Sequence, residues 1–118
     1  MLPAAYRLTK QHDFKRVAHS GRSFFSHLFR VSTCANTLKR PRVAVVVSTK
    51  VSKKAVARNK LKRQVRAVVA AHLEQLATGR DVVIAARSQA LAQPFAAVEQ
   101  DLLSILTKAR LLPTLSPR

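Results

Sequence analysis

The side chains able to do chemistry in this chain are overwhelmingly cationic. Between Phe14 and Leu73 there are fifteen lysines and arginines and not one aspartate or glutamate. The five acids of the chain, Asp13, Glu74, Asp81, Glu99 and Asp101, all lie outside that stretch. Its densest part runs from Lys53 to Arg66 and holds seven basic residues: Lys53, Lys54, Arg58, Lys60, Lys62, Arg63 and Arg66. The chemistry this offers is charge neutralisation. A compact chain of formal net charge +17 repels itself unless a polyanion is its partner.

Catalysis by the protein's own side chains fits poorly. Two-metal phosphodiester cleavage needs several carboxylates converging on ions ~3.5–4 Å apart, and the scattered acids offer no such set. Metal-free RNA hydrolysis could use a histidine pair as acid and base. Of the four histidines, His12 and His19 stand about two turns apart on one expected helix, which suits phosphate contact. His72 falls on an apolar helix face and is expected as a hydrogen-bonded core residue; the fourth is His27. With two glycines in the chain, no glycine-rich phosphate loop can form. No catalytic residue and no protein metal site is expected.

The elements that must position these cations follow from periodicity. Thr9 is expected to cap a short helix over 10–19, with Phe14, Val17 and Ala18 on one side and Gly21 just past its end. The aromatic and β-branched run from Ser23 to Thr33 predicts one strand. Ala35 to Pro41 reads as a turn, and Arg42 to Ser48 as a strand buried on both faces. A long basic helix is expected over about 53–76. At 100° per residue its Leu61, Val65, Val68, His72 and Leu76 share one face, and Asn59, Lys62, Arg63 and Arg66 the adjoining one. Arg58, Lys62 and Arg66 recur at i, i+4 and i+8 as a drifting row. A solvated helix face ordinarily mixes both signs for i,i+4 pairing, whereas this one has no acid before Glu74.

Gly79 is expected to end that helix, and Asp81 to Ala86 to form a second buried strand. Pro94 opens a last helix, whose Phe95, Val98, Leu102, Ile105 and Ala109 share a face. The tail with Pro113 and Pro117 is expected to fray. The order helix, strand, strand, basic helix, strand, helix predicts a small α/β sandwich of one domain, residues 1–118 with a core over about 6–112.

Composition narrows the partner. No window holds the ~20 apolar residues of a membrane span, the N-terminal region lacks a signal-peptide run, and the lone Cys34 suits a reducing compartment, so a cytoplasmic protein is expected. The apolar positions of the basic helix are Val, Leu and Ala, which suit packing on a sheet rather than insertion into lipid. The helix is flanked by strands, unlike a DNA-reading helix-turn-helix. Phe14, Phe24, Phe25 and Phe29 offer rings for stacking unpaired bases, although any one of them can equally be core. RNA, single-stranded or structured, is the expected partner, with no membrane and no DNA.

The residues together resemble a known family, the protein component of bacterial ribonuclease P. The resemblance spans about Tyr6 to Leu112. It rests on Leu8-Thr9-Lys10 followed by Asp13-Phe14 and Ser20-Gly21, on Arg42-Val43 leading to Ser48-Thr49-Lys50, and on Asp81 to Arg87. Its most specific part is Ala57-Arg58-Asn59-Lys60-Leu61-Lys62-Arg63 with Arg66, which is similar to the family's Arg-Asn-Arg signature helix.

That resemblance implies an α/β sandwich in which the signature helix makes a left-handed crossover between parallel strands, similar to ribosomal protein S5 domain 2-like folds. It implies an accessory subunit of an endoribonuclease whose catalyst is a large RNA. This RNA uses Mg²⁺, held by the RNA and substrate phosphates, to remove the 5′ leader of precursor tRNA. By position, Lys53, Lys54, Arg58, Asn59, Lys60, Lys62, Arg63 and Arg66 would contact the catalytic RNA. Phe14, Ala18, Ser48 and Lys50 would lie along the single-stranded leader.

Three positions depart from the pattern. Lys60 replaces the second signature arginine and loses its bidentate fork, Ala18 stands where a second cleft aromatic is frequent, and Ser32 where some members have tyrosine. A structural RNA-binding protein of the ribosome, or a nuclease in its own right, are the alternatives.

Overall fold

The structure is a computed structural model and describes residues 3–113. Pro117, expected in a frayed tail, lies outside the described residues.

A four-stranded mixed sheet in the order β1-β2-β4-β3 organises the molecule. β1 (Arg22–Phe25) and β2 (Phe29–Ala35) form an antiparallel hairpin, and β2 pairs antiparallel with β4 (Arg80–Ala86). β3 (Arg42–Val46) runs parallel to β4 at the far edge. The parallel pair is joined through α2 (Ala55–Ala71), so the basic helix is the expected crossover. Two further helices, α1 (Gln11–Ser20) and α3 (Phe95–Lys108), complete the α/β sandwich.

Side-chain alternation sorts the sheet into two faces. Phe29, Val31, Val43, Val82 and Ile84 point to one, where they pack with Leu61, Val65, Val68 and Val69 of α2 and Val98, Leu102, Ile105 and Leu106 of α3. Most of these are essentially inaccessible, each side chain worth about 1.5–3 kcal/mol relative to exposure. Cys34 and Ala44 point to the other face, where Leu8 and Val17 complete a smaller cluster with Phe14 and Val83 packed against it. Thus α1 covers the face opposite α2 and α3, and only part of it.

The departures from expectation are local. The run from Ser23 to Thr33 is not one strand, because Ser26-His27-Leu28 turns it back on itself. Ser26 Oγ accepts from Phe29 N at 3.0 Å, and Asp101 of α3 accepts from Ser26 Oγ at 2.5 Å and from Leu28 N at 3.3 Å. A carboxylate distant in sequence therefore fixes this turn. α1 begins after Lys10, which has no side-chain cap, and Thr9 is not its cap. β3 is an edge strand: Val43 and Ala44 are buried on its two faces, as expected, but its end is open and Val46 is 38% exposed.

α2 stops at Ala71, short of Leu76. His72 adopts φ −117°, and Leu73–Gln75 make a 3₁₀ turn that carries Leu76 into the core. Gly79 is not the helix end; at φ +72° it sits in the turn before β4. His72 is half-buried with Nδ1 2.9 Å from the Val68 carbonyl, a structural contact. Phe95 keeps the angular position of the apolar face of α3 but, as its first residue, is 42% exposed.

Gly21 follows α1, as expected, for a packing reason. Its φ is −81°, but a Cβ there would lie 2.2 Å from the Val17 oxygen and 2.9 Å from the Thr33 oxygen. The missing side chain lets the end of α1 sit directly against β2.

Candidate nucleic-acid interface

The angular positions of the α2 cations decide what each can reach. Leu61 and Val65 centre the buried arc, so Arg58 lies close to it and Arg63 almost opposite. Arg58 is accordingly half-buried, and its Nη1 donates to the Ser52 carbonyl at 3.0 Å, tying down the loop that enters the helix. Lys62 is half-buried, whereas Asn59, Lys60, Arg63 and Arg66 are exposed. Lys53 and Lys54 are exposed just before the first turn. None of these cations forms a salt bridge among the described residues, because the recorded pairs all involve Asp13 or Asp81.

The start of α2 has no acid in its first turn and no side-chain cap. Cations at this end oppose the helix dipole, at a cost of about 0.3–1 kcal/mol each. An approaching anion reverses that sign, meeting unpaired amides and lysines together.

Lys60 and Arg66 diverge. Lys60 lies beside Ala90 to Gln93 in the loop before α3, lining a hollow with Gln64. Arg66 points to the open edge of β3, into a cavity of about 230 Å³ whose other walls are Arg7, Leu8, Thr9, Phe14 and Val43 to Val45. The backbone at this edge is partly occupied: Leu8 N donates to the Val43 carbonyl at 3.0 Å. The expected leader residue Phe14 and the expected catalytic-RNA residue Arg66 therefore meet in one hollow.

Ala18, one turn beyond Phe14, is exposed on α1. Ser48 and Lys50 are exposed in the loop after β3, where Ser48 Oγ accepts from Lys50 N at 3.3 Å, and neither lines the Phe14 hollow. Ser32 is buried, its hydroxyl 2.9 Å from that of Ser23.

Charged contacts hold α1 over the sheet. Asp81 is fully buried on the α1 side of β4 and receives Arg42 Nε at 2.9 Å, Arg42 Nη2 at 2.8 Å, Asn36 Nδ2 at 2.8 Å, and Arg16 from α1. Asp13, also buried, lies 3.3 Å from Arg42 Nη1. Burial by itself would push the Asp81 carboxyl up. The hydrogen bonds from Arg42 and Asn36, with the charges of Arg42 and Arg16, outweigh it and hold the carboxyl below its ordinary value. The hydrogen bond to Asp81 likewise raises Arg42. Asp13 and Asp81 are thereby both engaged by arginines.

Sequence reasoning did not single out a second feature of this face. Cross-strand register aligns Phe25, Arg30, Ala85 and Val46 in one row across all four strands, beyond the reach of α1. Phe25 is 58% exposed, with the Arg30 guanidinium 5.5 Å from its ring centre. At strand spacing the row is roughly 15 Å wide. The signal in the sequence was Phe24-Phe25: adjacent strand residues face opposite ways, so one ring of the pair had to be outside the α2–α3 core. Phe29 is fully buried and Phe24 packs against that core.

Among the described residues, no three His, Cys, Asp or Glu side chains gather as metal ligands, and no helix is long and apolar enough to cross a membrane.

The ribonuclease P family profile matches residues 2–110. The chain belongs to the ribonuclease P protein family. It is 33% identical to the ribonuclease P protein component of Cyanothece sp., covering 95% of this chain and 98% of that protein. Identity to the ribonuclease P protein component of Microcystis aeruginosa is 36%, covering 94% and 96%. The ribonuclease P protein of Staphylococcus aureus, in a mutant described as defective in mRNA degradation, superposes with a TM-score of 0.87 at 31% identity, covering 92% of this chain and 91% of that one. That of Thermotoga maritima superposes with a TM-score of 0.79 at 30% identity, covering 86% and 96%.

Proposed function

We propose that this ribonuclease P protein binds the catalytic RNA through α2 and the 5′ leader of precursor tRNA on the α1 side of the sheet. The observation that carries the reading is the shared hollow of Phe14 and Arg66, which puts an aromatic ring and a phosphate-binding guanidinium at one place. Asn59, Lys60, Lys62, Arg63 and Arg66, with Lys53 and Lys54 at the helix start, take the catalytic RNA. Arg58 supports them by holding the loop from Ser52. Phe14 and the row Phe25–Arg30–Ala85–Val46 receive the unpaired leader, with Ala18, Ser48 and Lys50 along its path.

The mechanism is electrostatic and positional. A ribozyme and its substrate are both polyanions, and a +17 protein placed between them lowers their repulsion. Each stacked leader base adds about 1–3 kcal/mol without strong sequence preference. The Arg16–Asp81–Arg42–Asp13 cluster sets the separation of α1 and the sheet and keeps carboxylates away from the leader. Mg²⁺ belongs to the RNA and substrate phosphates in this reading, since Asp13 and Asp81 are both engaged by arginines. The complex acts in the cytoplasm on precursor tRNA.

An omission experiment tests this. Purified protein, a bacterial ribonuclease P RNA and a precursor tRNA are combined singly and together at a low Mg²⁺ concentration where the RNA alone is slow. Leader release that needs both protein and RNA is expected. RNA binding without stimulation would favour a structural role instead, and cleavage by the protein alone would make it a nuclease in its own right.

A further inference from the structure

A second cationic hollow lies away from α2 and from the leader face. Arg22 of β1, Arg80 of β4, and Lys108 and Arg110 at the end of α3 line a cavity of about 570 Å³ with Phe24, Thr33 and Ala109. By strand register Arg22 is paired with Thr33, and Phe24 with the core residue Val31, which places this hollow on the α2–α3 side of the sheet. Phe14 and the Phe25–Val46 row are on the other. No carboxylate lines it, and none of its four cations forms a salt bridge among the described residues. Arg80 is held in place, its Nε donating to the buried Thr33 hydroxyl at 3.3 Å.

The backbone at Arg110 is an independent observation. α3 ends in a Schellman turn: Arg110 N donates to Thr107 O at 3.0 Å and Leu111 N to Leu106 O at 2.9 Å. Arg110 itself takes left-handed backbone, φ 62°, where glycine is the ordinary choice and a Cβ is disfavoured. Ala92, at φ 65°, shows that the chain fills such a turn without glycine elsewhere. At position 110, though, the tolerated strain carries a guanidinium into an already cationic hollow.

We propose that this hollow is a second binding site for the phosphodiester backbone of the catalytic RNA, engaged together with α2. The proposal rests on the ribonuclease P reading above. The occupant follows from placement. The hollow lies on the side of the sheet that carries α2, the helix that takes the catalytic RNA in the proposed function, whereas a leader on the α1 side would have to pass around the β1 edge to arrive here. A folded RNA presents closely spaced phosphates across a protein 40 × 36 × 25 Å in extent.

Arg110→Gly is the informative variant, because it removes the charge while relieving the left-handed backbone. It is compared with Arg22→Ala/Arg110→Gly, and with Lys39→Ala as a control for net charge at an exposed site elsewhere. Thermal unfolding, affinity for ribonuclease P RNA between about 0.1 and 0.4 M salt, and affinity of the assembled holoenzyme for precursor tRNA are measured. Arg110→Gly is expected to melt no lower than the parent, to bind the RNA about fivefold more weakly, and to lower the salt slope by about one. The double variant should lose on the order of tenfold or more, and Lys39→Ala should change little.

RNA affinity of the double variant equal to the parent's, or a loss no greater than with Lys39→Ala, would overturn the proposal. So would a loss confined to precursor tRNA, which would make the substrate the occupant. If the parent itself fails to bind the RNA, the ribonuclease P reading falls and this proposal with it.

Discussion

Phe14 on α1 and Arg66 on α2 come from helices packed on opposite faces of the sheet, yet they line one cavity at the open edge of β3. The edge makes this possible. β3 has no full neighbour beyond it, and only the segment around Arg7 and Leu8 pairs there. In the proposed function, a leader nucleotide stacked on Phe14 would therefore sit within reach of a side chain assigned to the catalytic RNA.

Phe14→Ala is expected to weaken holoenzyme binding of precursor tRNA by about 1–3 kcal/mol, the range for one lost base stack, while leaving mature tRNA unaffected. Arg66→Ala combined with it should give a coupling of about 0.5 kcal/mol or more, as for residues that share a site. Titrations with leader-bearing and leaderless substrate check both. Equal losses for the two substrates would remove Phe14 from the leader path.

Arg63 lies opposite the buried arc of α2 and is exposed, with no salt bridge among the described residues. Arg63→Ala should leave the melting temperature unchanged, weaken assembly with the RNA, and reduce the salt slope by about one. Arg58→Ala should differ in kind. By releasing the Ser52 carbonyl it should also destabilise the fold by about 1 kcal/mol. Chemical denaturation beside RNA binding separates the two, and unchanged assembly of the Arg63 variant at near-physiological salt would sink its role.

Asp81→Asn should cost about 1–3 kcal/mol, since Arg42 and Arg16 lose their fully buried partner while both keep Asp13. The pH dependence has a defined sign. The folded carboxyl sits below its ordinary value of 3.8, so its contribution is fully present above that value and is lost as pH falls through the lower folded one. Urea unfolding of parent and variant from neutral to acid pH tests this: the gap between them should close only at the acid end.

Gly21→Ala should destabilise the protein by about 2 kcal/mol or more, because the new Cβ meets backbone oxygens of Val17 and Thr33 that cannot move aside cheaply. If the variant instead melts with the parent, the end of α1 is looser than the contact implies.

Much of this fold is legible in local sequence. The apolar period of α2 marks Leu61, Val65 and Val68, and that of α3 marks Val98, Leu102 and Ile105; all are buried. What local pattern could not show depends on partners far along the chain. The turn at Ser26 is closed locally between Ser26 and Phe29, but it is secured by Asp101, 75 residues along the chain. The burial of Asp81 is supported by Arg16, which is 65 residues away. Likewise the exposure of Val46 follows from the edge position of β3 and from where α1 stops, both properties of the assembled sheet. In the interface, the charge of α2 was plain and its helical period already turns Arg58 inward, but the meeting of Phe14 with Arg66 required the crossing of three elements.

If this protein relieves repulsion between two RNAs, as proposed, the Mg²⁺ dependence of single-turnover leader cleavage will register it. With the protein present, the Mg²⁺ concentration giving half the maximal rate should fall well below that of the RNA alone, while the rate at saturating Mg²⁺ changes little. An unchanged midpoint, with protein demonstrably bound to the RNA, would contradict the account.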